Sequence, residues 1–305
     1  NINKEASVCR TRRQMLIRTA SVVFSTGSLA FLPKSVWAAG APQAASEGWS
    51  GQAVRAAEKI LELAAAILSH KVGGRDFAEK AFLFYVVQNV HYLTGYAASL
   101  HALAGRVATM SISLEERKRI AKRLHGWAKD TDAVRESLDS VYAAHAAGKH
   151  LADDPLFKTI EPATLLYVNF EALLCQDIAS GFGMAALLPC FFGFYDGLGQ
   201  VFVKAQKKKQ ANKNPFADWI AGYGSPEYSA EVRQALGIAD ALAAETDETV
   251  KAEMTSAFLT ACRMELHLME LLARTEVGTR REAPLTAPSV QSRSSSRRRF
   301  FSSAV

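Results

Sequence analysis

A chain of 305 residues, 49% apolar and 22% charged, can bury one sizeable core and is too evenly balanced for a fibrous, low-complexity or wholly membrane-embedded protein. The net charge of +6 does not describe the body of the molecule: six Lys/Arg against one Glu in 1–38 and seven Arg against two Glu in 274–305 leave −4 for 39–273. A mildly acidic body argues against a nucleic-acid partner, and the basic excess belongs to the two ends.

Residues 1–38 read as a signal segment. Arg12-Arg13 precede an uncharged stretch from Ala20 to Leu32, and Val36-Trp37-Ala38 offers small residues at a cleavage position. The arginine pair followed by Gln14-Met15-Leu16 resembles a twin-arginine signal, which would export the folded protein, in bacteria to the periplasm. If the signal is not used, the protein is expected in the cytoplasm. The uncharged stretch has 13 residues, too few to cross about 30 Å of hydrocarbon as a helix, so no stable membrane span is expected. Residues 274–305 are rich in Ser and Arg without periodicity and read as a disordered tail.

Between 46 and 273 apolar residues recur every three or four positions, and no strand candidate survives. The spacing predicts helices near 50–69, 77–106, 113–127, 130–147, 161–180, 183–209, 214–222, 226–243 and 247–273, hence one all-α bundle. Ser113 with Glu116 has the pattern of a capping box.

The helix over 77–106 carries Tyr85, Asn89, Tyr92 and Tyr96 at offsets of four, three and four, so one face presents three phenols and an amide. Such a face is either a hydrogen-bonded aromatic core stripe or a wall that holds a flat ring and reads its edge. Farther on stands Leu187-Leu188-Pro189-Cys190-Phe191-Phe192. Proline lacks the helical donor, so it is expected to kink or restart the helix and leave Cys190 near an N-terminal end, where amide dipoles favour a thiolate. The alternative is a cysteine that simply fills core. Cys175 and Cys262 lack that setting and read as core. With separations of 15 and 72 residues the three match neither a zinc pattern nor a redox pair. In the last helix Glu265 interrupts an apolar stripe of Met254, Phe258, Ala261, Leu268 and Leu272. It is either a structural carboxylate paired to a neighbour or an acid–base group whose pKa rises on burial.

Together these residues resemble the TenA / thiaminase II family. The resemblance covers roughly 80–273 and rests on Glu161-Pro-Ala-Thr-Leu-Leu-Tyr167, on Ala185-Ala-Leu-Leu-Pro-Cys190 with a later Gly199, and on Asn214-Pro-Phe-Ala-Asp-Trp-Ile-Ala-Gly-Tyr223. It implies a haem-oxygenase-like helical bundle that hydrolyses thiamine or a related aminopyrimidine, a small-molecule substrate, to hydroxymethyl-pyrimidine for thiamine salvage. By resemblance Cys190 is the nucleophile and Glu265 the acid–base carboxylate, while Tyr92, Tyr167 and Tyr223 line the pyrimidine site. No metal or organic cofactor is implied, and assembly as a homo-oligomer is.

The chain departs from the family pattern in places. Asn89 stands where an aspartate usually grips the pyrimidine, and Phe194 takes a substrate-side position that is often tyrosine. The usual His-Pro-Phe before the Asn89 helix is absent, and an export signal is unusual for the family. Three alternatives therefore stand beside the hydrolase. They are a non-catalytic binder of a pyrimidine-like aromatic ligand, a relative of the pyrroloquinoline-quinone synthesis protein C, and a transcription regulator. The last lacks a helix-turn-helix signature.

Overall fold

The computed structural model describes residues 48–71, 79–146, 153–176, 180–194, 199, 203–204 and 222–273. The expected signal segment, the Ser/Arg tail and the segment 205–221, where a helix was expected to start at 214, lie outside the described residues. The described residues form seven α-helices with no strand: α1 Trp49–Lys71, α2 Glu79–Val107, α3 Leu114–Ala146, α4 Pro162–Cys175, α5 Ser180–Phe194, α6 Pro226–Ala244 and α7 Glu248–Glu270. Short 3-10 turns occupy Pro155–Lys158 and Leu271–Ala273. None of these helices is long and apolar enough to cross a membrane.

Local chemistry sets the helix ends. Ser225 caps α6 by accepting from the Tyr228 amide at 3.1 Å, with Pro226 in the first turn, and Asp247 caps α7 through the Val250 amide at 2.8 Å. Ser113 accepts from the Glu116 amide at 3.2 Å, but the Glu116 carboxylate turns to Arg119 at 2.6 Å and leaves the capping box half made. Across the fold, Asp240 of α6 accepts from the Ser50 amide and hydroxyl at 2.7 and 2.9 Å, tying down the start of α1.

Three helix boundaries differ from expectation. The predicted helices 113–127 and 130–147 are one helix of 33 residues, because no proline interrupts the join, Gly126 stays helical, and buried Trp127, Ala128 and Leu138 carry the packing through it. The helix expected over 161–180 stops at Cys175, and α5 already begins at Ser180, with Gly181 in its first turn. Pro189 neither breaks nor restarts α5, which runs on to Phe194. The Tyr96 hydroxyl donates to the Leu187 carbonyl at 3.2 Å and supports the backbone beside the missing proline donor.

The layer α2/α4/α5/α7 builds the site. Gln88, fully buried, clamps α2 to the start of α4: its amide donates to the Thr159 carbonyl at 2.8 Å, and its oxygen accepts from the Glu161 amide at 2.9 Å and the Thr164 hydroxyl at 3.0 Å. Gly95, between Tyr92 and Tyr96, has no room for a Cβ because Val168 of α4 occupies that space. The glycine lets α2 and α4 approach backbone to side chain, which brings the tyrosines of one against Tyr167 of the other.

Candidate active site

All four polar residues of the α2 face point inward: Tyr85, Asn89, Tyr92 and Tyr96 are buried. Tyr92 stacks on Tyr167 of α4 with ring centres 4.8 Å apart and lies 5.6 Å from the Tyr96 ring. Cys190 of α5 is partly buried, and the hydroxyls of Tyr92 and Tyr96 lie near enough to its sulfur to favour the thiolate, although neither makes a well-aligned hydrogen bond to it. Glu265 of α7 is fully buried, and neither of its oxygens has a hydrogen-bond partner among the described residues.

A second buried carboxylate was not foreseen. Glu171 of α4 is fully buried, and its Oε1 accepts from the Tyr92 hydroxyl at 2.9 Å. The signal was present: Glu171 falls four residues after Tyr167, on the same helical face, in a mostly apolar run that also holds Thr164 and Asn169. The run invites reading as core, yet it is Leu165, Leu166 and Leu173 of this helix that are exposed.

The electrostatics follow from burying two carboxylates together with no cation beside them among the described residues. Burial raises the Glu265 carboxyl to about 7, against a smaller pull from the Tyr167 hydroxyl. Burial likewise lifts Glu171 well above the usual carboxylate range, opposed by its Tyr92 hydrogen bond and assisted by the nearby Glu265 charge. The Tyr167 hydroxyl faces both carboxylates closely enough to favour their charged forms, although it makes no well-aligned hydrogen bond to either. Burial also pushes the Cys190 thiol up, and Glu265 and Glu171 push it further, against the Tyr92 and Tyr96 hydroxyls. This corrects the expectation of an acidified thiol. Cys190 sits far inside the continuous helix α5, away from any N-terminal amides, and its neighbours are acids.

A pocket of about 320 Å³ opens from this cluster toward solvent. Asn89, Tyr96, Cys190, Phe191 and Tyr223 line it, with Trp127, Asp130 and Glu231 farther out. Trp127 is held by a hydrogen bond of 2.6 Å to Glu231 and packs on Phe191 at 5.0 Å. Tyr223 stands edge-on to Tyr228 at 5.2 Å, and the Tyr228 hydroxyl donates to the Phe191 carbonyl at 3.1 Å. Gly199 lets this wall close, since a Cβ there would lie 2.6 Å from the Tyr223 carbonyl oxygen.

Of the residues expected at the site, Asn89, Cys190 and Tyr223 therefore line the pocket, and Tyr92, Tyr167 and Glu265 form a buried layer that reaches it through Cys190. Phe194 ends α5, and its side chain lies outside the described residues. The described residues contain no group of three or more metal-ligating side chains.

The profile described as TENA/THI-4/PQQC family matches residues 70–270. The chain belongs to this family. Among its relatives, an aminopyrimidine aminohydrolase of Halalkalibacterium halodurans is 27% identical over 199 residues, covering 64% of this chain and 81% of that protein. The multifunctional thiamine biosynthesis protein ThiED of Corynebacterium efficiens is 23% identical over 205 residues, covering 67% of this chain but 25% of its own length. Solved TenA homologues share the all-helical, haem-oxygenase-like fold. The protein from Pyrococcus horikoshii superposes with a TM-score of 0.53 at 20% identity, covering 74% of this chain and 99% of the other. That from Pseudomonas syringae reaches 0.60 at 10% identity, covering 77% and 97%.

Proposed function

We propose that this TENA/THI-4/PQQC family member hydrolyses thiamine or a related aminopyrimidine, releasing hydroxymethyl-pyrimidine for thiamine salvage through a covalent Cys190 intermediate. The observation that carries the reading is the pairing of a pocket-lining thiol with a buried carboxyl. Glu265 has no hydrogen-bond partner for either oxygen among the described residues and titrates near 7, where it can give and take a proton at neutral pH. A core carboxylate kept for packing would be hydrogen-bonded; leaving one bare costs about 1–3 kcal/mol per buried group. The names of the two relatives, an aminopyrimidine aminohydrolase and a thiamine biosynthesis protein, support the same chemistry.

A flat aminopyrimidine enters past Tyr223 and meets Asn89 and Cys190. The Asn89 oxygen, buried and unpartnered, accepts from the exocyclic amino group. The Cys190 thiolate adds to a ring carbon while Glu265 protonates a ring nitrogen. The substituent on the ring methylene then departs with its bonding electrons. Water adds at that methylene and yields its proton to Glu265; the ring then expels the Cys190 thiolate, and the proton its nitrogen had taken passes to the departed group where that is an amine, or otherwise to solvent. The net change is replacement of the leaving group by hydroxyl.

Purified protein is expected to convert thiamine or aminomethyl-pyrimidine to hydroxymethyl-pyrimidine, followed by chromatography, and Cys190→Ser to abolish it. Absence of turnover with a ligand-induced rise in melting temperature would instead make the pocket a binding site.

A further inference from the structure

Glu171 is the residue of the cluster to which the mechanism above gives no task. It is fully buried, its Oε2 has no partner among the described residues, and no basic side chain contributes to its environment. Its one hydrogen bond is from Tyr92, at 2.9 Å. The same Tyr92 hydroxyl lies close enough to the Cys190 sulfur to favour its charged form, although it makes no well-aligned hydrogen bond to it in the resting arrangement. Tyr96 lies near the sulfur too, but its hydroxyl proton is committed to the Leu187 carbonyl at 3.2 Å. Of these two hydroxyls it is therefore that of Tyr92 that stands between the thiol and a carboxylate. Its ring is fixed for this by stacking on Tyr167 and by the close approach of α2 to α4 at Gly95.

We propose that Glu171 is the acceptor for the Cys190 proton, acting through the Tyr92 hydroxyl, so that Glu265 remains free to serve the ring. The S–H proton passes to the Tyr92 oxygen as the Tyr92 O–H proton passes to Glu171 Oε1. The products are a thiolate, an unchanged phenol and a carboxylic acid, and no other reactant is consumed. One negative charge is present before and after; it moves from carboxylate to sulfur. The cluster thus forms its nucleophile without adding to the number of buried charges, whereas ionising the thiol alone is opposed first by burial and then by the Glu265 and Glu171 charges. Tyr92 stays a phenol at both ends of the transfer, consistent with burial lifting it far above its ordinary range. Glu171 is a positioning residue in this scheme, since it touches the thiol only through Tyr92.

The inference deepens the cysteine reading above and rests on it, but its test needs no substrate. Iodoacetamide alkylation of Cys190 is followed across pH by mass spectrometry of the Cys190 peptide in the full chain. Glu171→Gln keeps the size of the side chain and an acceptor for Tyr92, and its fold is checked by melting temperature. The expected result is an alkylation rate lowered about tenfold or more at pH 7 in Glu171→Gln, converging with wild type at high pH where the thiol ionises unaided. Tyr92→Phe, with Glu171 intact, is expected to show the same loss and decides the matter if Glu171→Gln does not fold. A Glu171→Gln protein that alkylates as fast as wild type or faster at pH 7 overturns the proposal. Glu171 would then act only as a like charge that holds the thiol proton on. If alkylation falls as expected while wild type turns over no aminopyrimidine, the relay stands and the substrate reading fails.

Discussion

Glu265→Gln offers a direct measure of what the site costs the fold. The carboxyl titrates near 4.5 when unperturbed and about 7 when buried. Below 4.5 folded and unfolded chains both hold the proton. Between 4.5 and 7 the folded chain keeps a proton that the unfolded chain has released, so stability falls as pH rises through that window and stays reduced above it. At about 1.4 kcal/mol for each pH unit, Glu265 alone withdraws about 3 kcal/mol by pH 8. Glutamine has the same shape and no charge to desolvate. Urea unfolding at pH 5 and pH 8 is therefore expected to show wild type and Glu265→Gln nearly equal at the lower pH. At the higher pH the variant should lead by about 3 kcal/mol, with unchanged m-value. Part of the wild-type slope persists in the variant, because Glu171 is shifted in the same direction. Turnover is expected to be lost in the same protein, the pattern of a group retained at the expense of stability. Stability curves that run parallel from pH 5 to pH 8 would refute a buried, raised Glu265.

Gly95→Ala is expected to force α2 away from Val168 at a cost of about 1–3 kcal/mol, lowering the melting temperature and, by shifting Tyr92, turnover as well; Val168→Ala in the same chain should recover part of both. Gln88→Ala removes three hydrogen bonds at the α2–α4 junction and leaves the Thr159 carbonyl and Glu161 amide without that partner, so a loss of about 2–4 kcal/mol is expected in urea unfolding.

Two carboxylates, four tyrosines and a thiol share a small dry volume in this fold, and the described neighbours include no cation to balance them. That arrangement makes the layer behind the pocket expensive. Asn89 Oδ1, Glu171 Oε2 and both Glu265 oxygens have no hydrogen-bond partner among the described residues. Charge and proton movement among these groups are accordingly the variables that the experiments above address.

Sequence alone determined that the middle of the chain is helical, since the three- and four-residue recurrence of apolar positions fixes which face of each helix turns inward. It also placed Tyr85, Asn89, Tyr92 and Tyr96 on one face and Glu265 within an apolar stripe, because helical offsets translate directly into common direction. Tertiary structure decided the rest. Pro189 stands inside α5 without ending it, and the Tyr96 hydroxyl on the Leu187 carbonyl is a contact made across helices that the local sequence does not show. The ionisation of Cys190 depended first on burial and then on acids from α7 and α4, which lie 75 and 19 positions away in the chain and near it in space. Glu171 became visible as a functional candidate only when Gly95 let two helices close and set Tyr92 between a carboxylate and a sulfur. Periodicity reports the direction of a side chain, while pKa and proton path are properties of what it meets there.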